Sequence, residues 1–304
     1  MNNKIGMIGY GEVGKVFCAG LKSKPGIESV SAWDLKFALS GDHPDHGAAL
    51  AHATKVGIAT CDSMQALCAK SDWLISAVTA SSTLAVAREA ARFIKPGTLF
   101  LDLNSASPGT KQQAANLIEA AGGFYVEAGV MTSVPPYGIK VPMLLGGPQA
   151  SALADRLRSF DMDARCVSPQ IGIASAIKMC RSVMIKGLEA LVIESYTTAR
   201  AYGVEDHVLP TLAETFPSID WSGQGAYFFS RVVQHGKRRA EEMREAANTV
   251  KEAGFESFMA SAIADKQQWV AVQAAGGVFA DLGKDAKWQA YADRLLAMRT
   301  AKTS

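Results

Sequence analysis

Apolar runs of strand length alternate with helical segments along about the first 165 residues. The strand-like runs span residues 5–8, 30–33, 73–78, 99–103 and 124–126, and helical apolar spacing spans residues 12–21, 63–69, 83–93 and 109–121. Parallel strands need a crossover of a dozen or more residues, usually a helix, because a tight hairpin joins only antiparallel strands. Strict alternation therefore predicts βαβ units in a parallel sheet with helices on both faces, an α/β fold of the doubly wound kind.

A glycine-rich turn follows the first predicted strand. Residues 4–14 (KIGMIGYGEVG) place GxGxxG between this strand and the opening of the first predicted helix. In this pattern Gly9 permits a tight turn, Gly11 lets the backbone approach a pyrophosphate, and Gly14 allows close packing of helix on strand. The first-turn amides, including those of Glu12 and Val13, add the partial positive charge of a helix N-terminus. The motif predicts a dinucleotide-binding domain of the Rossmann type.

An acidic residue stands at the distance that this motif requires. Asp34 follows the second predicted strand, twenty residues beyond the last motif glycine, where a carboxylate binds ribose hydroxyls and repels a 2′-phosphate. Lys36 lies two residues later and would attract the same phosphate, so the sequence favours NAD and leaves NADP open. Thr79 and Ser81 follow the third predicted strand and are expected along the cofactor path, or alternatively as N-caps of the next helix.

The pattern becomes helical almost throughout after residue 168. It starts with a long helix predicted over residues 173–202, whose apolar positions recur close to the helical period. Pro210 and the region 223–225 are interpreted as breaks between helices. We therefore predict a dinucleotide-binding domain over residues 1–167 and an all-α domain over residues 168–304.

The composition excludes several other classes of protein. Hydrophobic residues make up 48% and charged residues 20% of the chain, which suits a globular core and argues against disorder. Thirty-one basic against 29 acidic residues give a net charge of +2, too small to indicate a nucleic-acid or membrane partner. The chain shows no signal-peptide pattern, no apolar run of membrane-spanning length and no CxxC pair among its five cysteines. We expect a cytoplasmic protein with reduced thiols.

One loop contains residue types that bind metals. Residues 42–46 (DHPDH) carry two histidines and two aspartates, and His52 lies nearby. A proline-containing loop does not assure the geometry that metal ligands need. We interpret the loop as solvated and expect no metal site.

Four segments resemble the β-hydroxyacid dehydrogenase family, which includes 3-hydroxyisobutyrate dehydrogenase and 6-phosphogluconate dehydrogenase. The first is the glycine turn, and the four together cover about the first 190 residues. Segment 101–108 (LDLNSASP) resembles the family's D-x-S-T-x-x-P stretch, 126–133 (VEAGVMTS) stands where the family has D-A-P-V-S-G-G, and 172–179 (GIASAIKM) is similar to its G-x-x-x-x-x-K catalytic helix. Further along, 235–243 (HGKRRAEEM) resembles a branch with its own helical C-terminal domain, known as DUF1932.

This resemblance implies an NAD(P)-dependent oxidoreductase that oxidises a small β-hydroxy acid or related alcohol, or reduces the matching carbonyl. It implies that Lys178 is the general acid/base, because oxidising an alcohol needs a base for the hydroxyl proton while hydride leaves for nicotinamide. The alternative for Lys178 is an interfacial lysine whose amine reaches water. The residues implied in binding a small, anionic substrate are Asn104, Ser105, Gly129, Met131, Thr132 and Ser133. Relatives form homodimers or homotetramers, so the helical domain is expected to serve substrate binding and oligomerisation.

Met131, Thr132 and Ser133 depart from the family pattern. They occupy the places of a tight glycine turn whose backbone amides help to hold a substrate carboxylate in the family. The two hydroxyls are expected to take over as donors. The DUF1932 likeness adds His235 and Arg239 as cleft residues, although alternating charges around them also fit a solvated helix face.

A second departure follows the lysine. Arg181 and Ser182 stand where the family has an asparagine, at i+3 and i+4 from Lys178 and hence on the same helix face. We expect Arg181 to bind a substrate anion as a forked donor, or alternatively to pair with an acid such as Glu127.

Two other functions remain open from the sequence. An imine reductase on the same scaffold would reduce C=N in place of C=O, although related imine reductases generally lack a lysine at the position of Lys178. A non-catalytic dinucleotide-binding regulator would account for the altered glycine motif at residues 131–133. The identity of the substrate, the direction of the reaction and a subsequent decarboxylation are likewise left open.

Overall fold

The computed structural model describes residues 3–38, 44–283 and 285–302. The chain divides into two compact units, Met1–Met179 and Cys180–Ser304. Asp42 and His43 of the histidine-containing loop lie outside the described residues. The division of roles between residues 1–167 and 168–304 stays a prediction.

The first unit is built on one eight-stranded sheet. Its strands are β1 (Asn3–Ile8), β2 (Ile27–Trp33), β3 (Ala59–Thr60), β4 (Trp73–Ser76), β5 (Leu99–Asp102), β6 (Phe124–Val130), β7 (Met143–Gly146) and β8 (Ala164–Ser168). They lie in the order β3-β2-β1-β4-β5-β6-β7-β8, whose first six follow the strand order of dinucleotide-binding sheets. The five strands predicted from the sequence are confirmed, whereas β3, β7 and β8 are additional.

Strands β7 and β8 are the exceptions to the parallel arrangement, because both run opposite to the other six strands. Strand β7 is antiparallel to β6, whereas the pairs from β3 through β6 and the pair β7–β8 are parallel. The connection from β6 to β7 contains only a 3-10 turn at Gly138–Lys140. Since no crossover helix carries the chain back to the other end of the sheet, β7 returns in the opposite direction. The sheet is therefore mostly parallel.

Helices cover both faces of the sheet, which confirms the doubly wound α/β fold. They are α1 (Glu12–Leu21), α2 (Pro44–Val56), α3 (Met64–Lys70), α4 (Thr83–Ala91), α5 (Pro108–Ala120) and α6 (Ala150–Arg158). One core includes Phe17 of α1 and Leu157 of α6, and the other includes Leu67 of α3 and Ile118 of α5. The bounds of α1 match the prediction, and those of α3, α4 and α5 agree to within one or two residues.

The second unit is all helical, as predicted. The long helix α7 (Ile173–Tyr202) begins in the first unit and is followed by α8 (Glu205–Thr215), α9 (Trp221–Glu252), α10 (Phe258–Ala275) and α11 (Trp288–Lys302). The core of this unit contains Ile193, Phe229, Val270 and Trp288. The predicted bounds of the long helix are confirmed. Of the helices in the described part of the chain, none combines the length and apolarity needed to cross a membrane.

The predicted breaks at Pro210 and at residues 223–225 are wrong. Pro210 lies inside α8, a helix without buried residues, and at such a position water can replace the intrahelical bond that a proline cannot donate. Gly225 lies inside α9, where a Cβ would approach the Tyr196 ring to 2.7 Å. This glycine allows α9 to pack closely on α7 and does not mark a turn.

Candidate functional site

The glycine turn has the geometry that its motif requires. Gly9 has φ +93°, in the left-handed region that favours glycine, and a Cβ there would lie 2.5 Å from the Ala77 carbonyl oxygen. A Cβ on Gly14 would collide with the carbonyl oxygen of Gly9. At Gly11, the N-cap of α1, a Cβ would meet no atom within 4 Å. The turn therefore has no space for a side chain at Gly9 and Gly14, where helix packs on strand, and has free space at Gly11.

The open side of the turn is a helix N-terminus that has no capping side chain. The amides of Glu12, Val13 and Gly14 belong to the first turn of α1, whose N–H groups have no partner inside the helix. Because Gly11 supplies no side-chain oxygen, these donors and the positive end of the helix dipole can receive a ligand's anion. The turn fits a pyrophosphate.

Asp34 is held at the end of β2 by backbone donors. Its Oδ2 accepts from the Tyr10 amide at 2.6 Å and its Oδ1 from the Lys36 amide at 2.9 Å. The side chain is half-buried. A carboxylate offers about four acceptor positions, so two are left for the hydroxyls of a ribose. This arrangement fits the adenosine end of a dinucleotide, and the Lys36 side chain is two residues away.

Tyr10, inside the glycine motif, was not among the predicted site residues. It is fully buried, its OH lies 3.1 Å from His52 Nδ1, and its ring packs against Phe37 with centroids 5.4 Å apart. Burial, with a smaller contribution from Cys18, raises the pKa of Tyr10 to about 12. Burial, and then Lys15 and Lys55, lowers the pKa of His52. A neutral hydroxyl and a neutral imidazole therefore lie beneath the turn at neutral pH.

The carboxyl ends of β1, β4, β5 and β6 share one edge of the sheet because these strands are parallel neighbours. Thr79 follows β4 at this edge, exposed, with its Oγ1 3.2 Å from Ser81 Oγ and 3.1 Å from Ser82 Oγ. Thr79 precedes a 3-10 turn at residues 80–82 but makes no side-chain capping bond to it. Thr79 and Ser81 therefore stay candidates for lining the cofactor path.

Lys178 and Ser105 meet at the same edge. The Nζ of Lys178, on the second turn of α7, donates to Ser105 Oγ at 2.6 Å, just beyond the end of β5. Both side chains are half-buried. This bond joins the second and fourth segments of the sequence resemblance. The stretch at 101–108 and the lysine helix at 172–179 come together, as shared catalytic work would require.

Beneath Ser105 lies a buried ionic network that the sequence did not reveal. Asp102 Oδ1 accepts from Lys111 Nζ at 2.9 Å, and its Oδ2 accepts from the Tyr125 hydroxyl at 2.6 Å. The Lys111 side chain is 0% exposed and that of Asp102 1%. Burial, and then the charge and hydrogen bond of Asp102, raise the pKa of Tyr125 well above its usual range, so this hydroxyl stays a donor.

Asn104 is a structural anchor in this arrangement. Its Oδ1 accepts from the Val78 amide at 2.7 Å, its Nδ2 donates to Ser76 Oγ at 3.0 Å, and its own amide donates to Asp102 Oδ1 at 2.8 Å. The residue is 3% exposed. These bonds tie the end of β5 to the end of β4, and the expected substrate contact of Asn104 stays a prediction.

Glu127, the alternative partner expected for Arg181, has other partners. This residue, offered above as a partner for Arg181, is fully buried, and its Oε1 accepts from the amides of Gly172 at 2.7 Å and Ala174 at 3.0 Å. Its Oε2 accepts from Ser175 Oγ. The carboxylate of Glu127 thus caps the start of α7. Its donors are two backbone amides and a hydroxyl, and not the guanidinium of Arg181.

The segment after β6 contains the departures from the family pattern. Gly129 is buried, and a Cβ there would lie 3.0 Å from the Ala174 carbonyl oxygen and 3.4 Å from Lys178 Cβ. Its role is close packing of β6 on α7. Met131 extends the strand pairing by donating to the Pro142 carbonyl at 2.9 Å, and Thr132 is exposed with Ser133 half-buried beside it.

Four candidates belong to the helical unit. Arg181 is exposed on α7, whereas Ser182 is 7% exposed and accepts from Lys186 Nζ at 3.1 Å, so Ser182 is committed to the interior. His235 is half-buried on α9. The expectation that Arg239 lines a cleft is wrong, because this residue is buried in an ion pair with Glu189.

The strand order, the glycine turn and Asp34 define a dinucleotide-binding Rossmann protein with a helical C-terminal unit. A family model described as the NAD binding domain of 6-phosphogluconate dehydrogenase matches residues 4–170, and one for a domain of unknown function, DUF1932, matches residues 199–270. The chain belongs to the β-hydroxyacid dehydrogenase family, in the branch that carries the DUF1932 domain. The family predicted from the sequence is confirmed.

Two solved structures are similar over most of this chain. A conserved hypothetical protein from Sinorhizobium meliloti 1021 is 36% identical, with 97% of this chain and 96% of that chain covered and a TM-score of 0.75. A conserved protein of unknown function, noted for its structural similarity to 3-hydroxyacid dehydrogenases, is 29% identical, with 89% and 99% covered and a TM-score of 0.64.

Two enzymes share the fold at low identity. The 3-hydroxyisobutyrate dehydrogenase of Mycobacterium tuberculosis, solved with L-serine, is 17% identical, with 97% of this chain and 99% of that chain covered and a TM-score of 0.64. An imine reductase from Myxococcus stipitatus, solved with NADP+, is 19% identical, with 96% and 99% covered and a TM-score of 0.53. At these identities the likeness shows the fold alone.

Proposed function

We propose that this protein is an NAD(P)-dependent oxidoreductase that oxidises a small β-hydroxy acid or related alcohol, or reduces the matching carbonyl, with Lys178 as general acid/base. The observation that supports this most directly is the 2.6 Å hydrogen bond from Lys178 Nζ to Ser105 Oγ. It brings a titratable amine to the carboxyl edge of a dinucleotide-binding sheet, which is where ligands of this architecture bind. A lysine that only reached for water would not need this partner.

Proton transfer is the part of the reaction that the chain's own residues perform. Bound NAD(P) would supply the nicotinamide carbon that takes or returns hydride. In oxidation, the neutral amine of Lys178 accepts the proton of the substrate hydroxyl, and in reduction its ammonium donates to the carbonyl oxygen. The Ser105 hydroxyl orients the amine, and since a hydroxyl that accepts one bond can still donate another, it can also bind the substrate oxygen.

The cofactor would be held by the elements at the same edge. The amides of the α1 N-terminus, with Gly11 open above them, suit the pyrophosphate, and Asp34 suits the ribose. We propose a preference for NAD because the Asp34 carboxylate would repel a 2′-phosphate, against the opposite influence of Lys36. Thr79 and Ser81 would line the path toward nicotinamide.

The anionic end of the substrate would be bound by the residues that depart from the family pattern. We propose that Thr132 and Ser133 offer hydroxyl donors after β6, beside Met131, and that the exposed guanidinium of Arg181 provides a forked contact. His235 stays a candidate for the same ligand. Assembly as a homodimer or homotetramer and a cytoplasmic location stay predictions from the sequence.

The test is nicotinamide absorbance across a panel of β-hydroxy acids, with NAD and NADP in parallel. Lys178→Met should lower kcat at least about 100-fold, which is the lower end of the range that a general acid/base contributes. The Kd for the cofactor should be unchanged. Lys70→Met, which removes an exposed lysine from α3, is the matched control and should behave like the wild type. Full activity in Lys178→Met would contradict the proposal.

The shared fold makes imine reduction the second candidate. The same assay with a ketone and an amine, followed as oxidation of NADPH, would reveal it, and the presence of Lys178 argues against it. Turnover of imines with none of hydroxy acids would overturn the preferred function. A regulator without catalytic activity would bind the cofactor and give no lysine-dependent turnover with either class of substrate.

A further inference from the structure

The hydrogen bond between Lys178 and Ser105 is held from both ends by buried carboxylates. Asp102, the last residue of β5, is the register partner of Glu127, which lies in the middle of the adjacent strand β6. Asp102 lies three residues before Ser105, and the donors to Glu127 lie in the turn that precedes Lys178. One carboxylate therefore fixes the acceptor of the bond and the other fixes its donor.

Glu127 fixes the start of α7 through three donors. The Gly172 and Ala174 amides share its Oε1, and the Ser175 hydroxyl binds its Oε2. Burying a carboxylate without donors is strongly unfavourable, and these bonds, with the positive end of the helix dipole, offset that cost. Since Ser175 and Lys178 are one turn apart, any rotation of α7 that moves Lys178 must break this set of bonds.

Two glycines make room for this arrangement. Gly146 of β7 is the register partner of Glu127, and a Cβ there would lie 2.5 Å from Glu127 Oε1. Gly129 lets β6 approach the Ala174 carbonyl, as described above. The strands are thus shaped around the carboxylate and the first turn of α7. If β6 and α7 were joined by apolar side chains alone, neither a buried charge at Glu127 nor a glycine at 146 would be needed.

Asp102 fixes the position of Ser105 in a similar way. Lys111 and Tyr125 bind its two oxygens, and Asp102 in turn accepts from the Asn104 amide, one residue before Ser105. The turn that carries Ser105 is therefore tied to a fully buried ion pair. Ser105 follows directly after a residue that is hydrogen-bonded to Asp102, and Lys178 lies one helical turn after Ser175, which is hydrogen-bonded to Glu127.

We propose that Glu127 is a positioning residue for Lys178, acting through the first turn of α7, with Asp102 as its counterpart for Ser105. The inference rests on the proposed function, because it gives Lys178 the acid/base role. Glu127 does not touch the reacting atoms. Its contribution is to keep the amine in line with Ser105, and displacements of about 1 Å at such a group can cost about 100-fold in rate.

Three variants test this role. Glu127→Ala removes the acceptor, Glu127→Gln keeps an oxygen for the two amides, and Gly146→Ala leaves Glu127 in place but pushes on its Oε1. We expect kcat to fall about 10- to 100-fold in Glu127→Ala and Gly146→Ala, with rescue to within a few-fold in Glu127→Gln. The KM for the cofactor should not change, and the pH profile of kcat/KM should shift in the two impaired variants alone.

The matched control removes a helix cap elsewhere in the same unit. Ser63→Ala deletes the Oγ that accepts from the Ala66 amide at the start of α3, and it should leave kcat and its pH profile unchanged. If Glu127→Ala and Gly146→Ala also have wild-type kcat and pH profiles while Lys178→Met is inactive, the positioning role is wrong and the proposed function stands. If Lys178→Met is fully active, the proposed function itself fails.

A second readout needs no substrate. Competitive acetylation followed by peptide mass spectrometry gives the reactivity of Lys178 relative to the exposed Lys70 in the same sample. Release of Lys178 from Ser105 should raise this ratio several-fold in Gly146→Ala and in Glu127→Ala, but not in Glu127→Gln or Ser63→Ala. An unchanged ratio in a folded Gly146→Ala would overturn the inference even if Glu127→Ala fails to fold.

Discussion

Helices α1 and α7 both begin at the same edge of the sheet, but their N-termini are used in opposite ways. The first turn of α1 starts at Gly11, which supplies no side-chain acceptor and above which a Cβ would meet no atom. The first turn of α7 is filled by the carboxylate of Glu127. The first-turn amides of each helix have no partner within that helix and attract negative charge. One helix leaves that place to a ligand, and the other takes its anion from its own chain.

The difference teaches how to separate a binding element from a positioning element. An N-terminus that the protein has already neutralised has no use for an external anion, so α7 contributes by holding Lys178 still. An N-terminus without a cap is less stable by itself, since a capping side chain typically contributes about 1 kcal/mol relative to alanine. At α1 the missing cap leaves the first-turn amides available for the pyrophosphate that we propose binds there.

The largest effect is expected from making α1 resemble α7. Gly11→Asp would place a carboxylate over the first-turn amides, in an extended backbone conformation that aspartate tolerates. Like charges brought together cost several kcal/mol, so the Kd for NAD or NADP should rise at least about 100-fold, as measured by titration calorimetry. The midpoint of thermal unfolding without cofactor should stay the same or rise slightly.

Gly11→Ala separates charge from bulk in this experiment. Its Cβ enters open space and carries no charge, so we expect a much smaller loss of affinity than with aspartate. Wild-type affinity in Gly11→Asp would mean that the dinucleotide does not bind at this helix, and the contrast between α1 and α7 would lose its functional meaning.

A smaller effect is expected from the carboxylate beside the open helix. Asp34→Ala removes the charge that would repel a 2′-phosphate, and the ratio of kcat/KM with NADP to that with NAD should rise about tenfold, equivalent to about 1.4 kcal/mol. Lys36→Ala is the paired control and should move the ratio in the opposite direction. A ratio that neither substitution changes would place the adenosine ribose elsewhere.

The smallest effect concerns the neutral pair beneath the turn. The pKa of Tyr10 is raised by burial to about 12 from 10.0, so the folded state favours the neutral phenol. The corresponding stabilisation is complete below pH 10 and is lost as pH rises toward 12. Phenolate absorbance between about pH 9 and pH 10.5 should therefore be the same in the wild type and in Tyr10→Phe. A smaller signal in the variant would show that Tyr10 ionises in this range.

The sequence predicted the elements whose signals are local. The strand, turn and helix around Gly9 and Gly14 follow from residues within one βα unit, and the long helix at 173–202 follows from its uninterrupted period. Strand β3 has only two residues, and α2 is rich in small side chains, so neither produces a clear pattern. The direction of β7 depends on a connection without a helix, which alternation alone does not anticipate.

The partners of the site residues were harder to predict. Lys111 lies in a helix of mixed polarity, where a lysine ordinarily faces water, and only the folded sheet brings it to Asp102. The sequence predicted a ligand contact for Asn104 but not the bonds by which this residue joins two strand ends. The meeting of Lys178 with Ser105 was expected only through the resemblance, because 73 residues separate them in the sequence.

The contact between Glu127 and Gly146 has a consequence for the history of this family. The two residues face each other across β6 and β7, and the length of the acid is accommodated by the missing side chain of the glycine. A side chain at 146 would press on the carboxylate at 127, so we expect the two positions to change together. Along the lineages of this branch, substitutions at 127 and 146 should occur together, and a relative with a shorter acid at 127 is free to carry alanine or serine at 146.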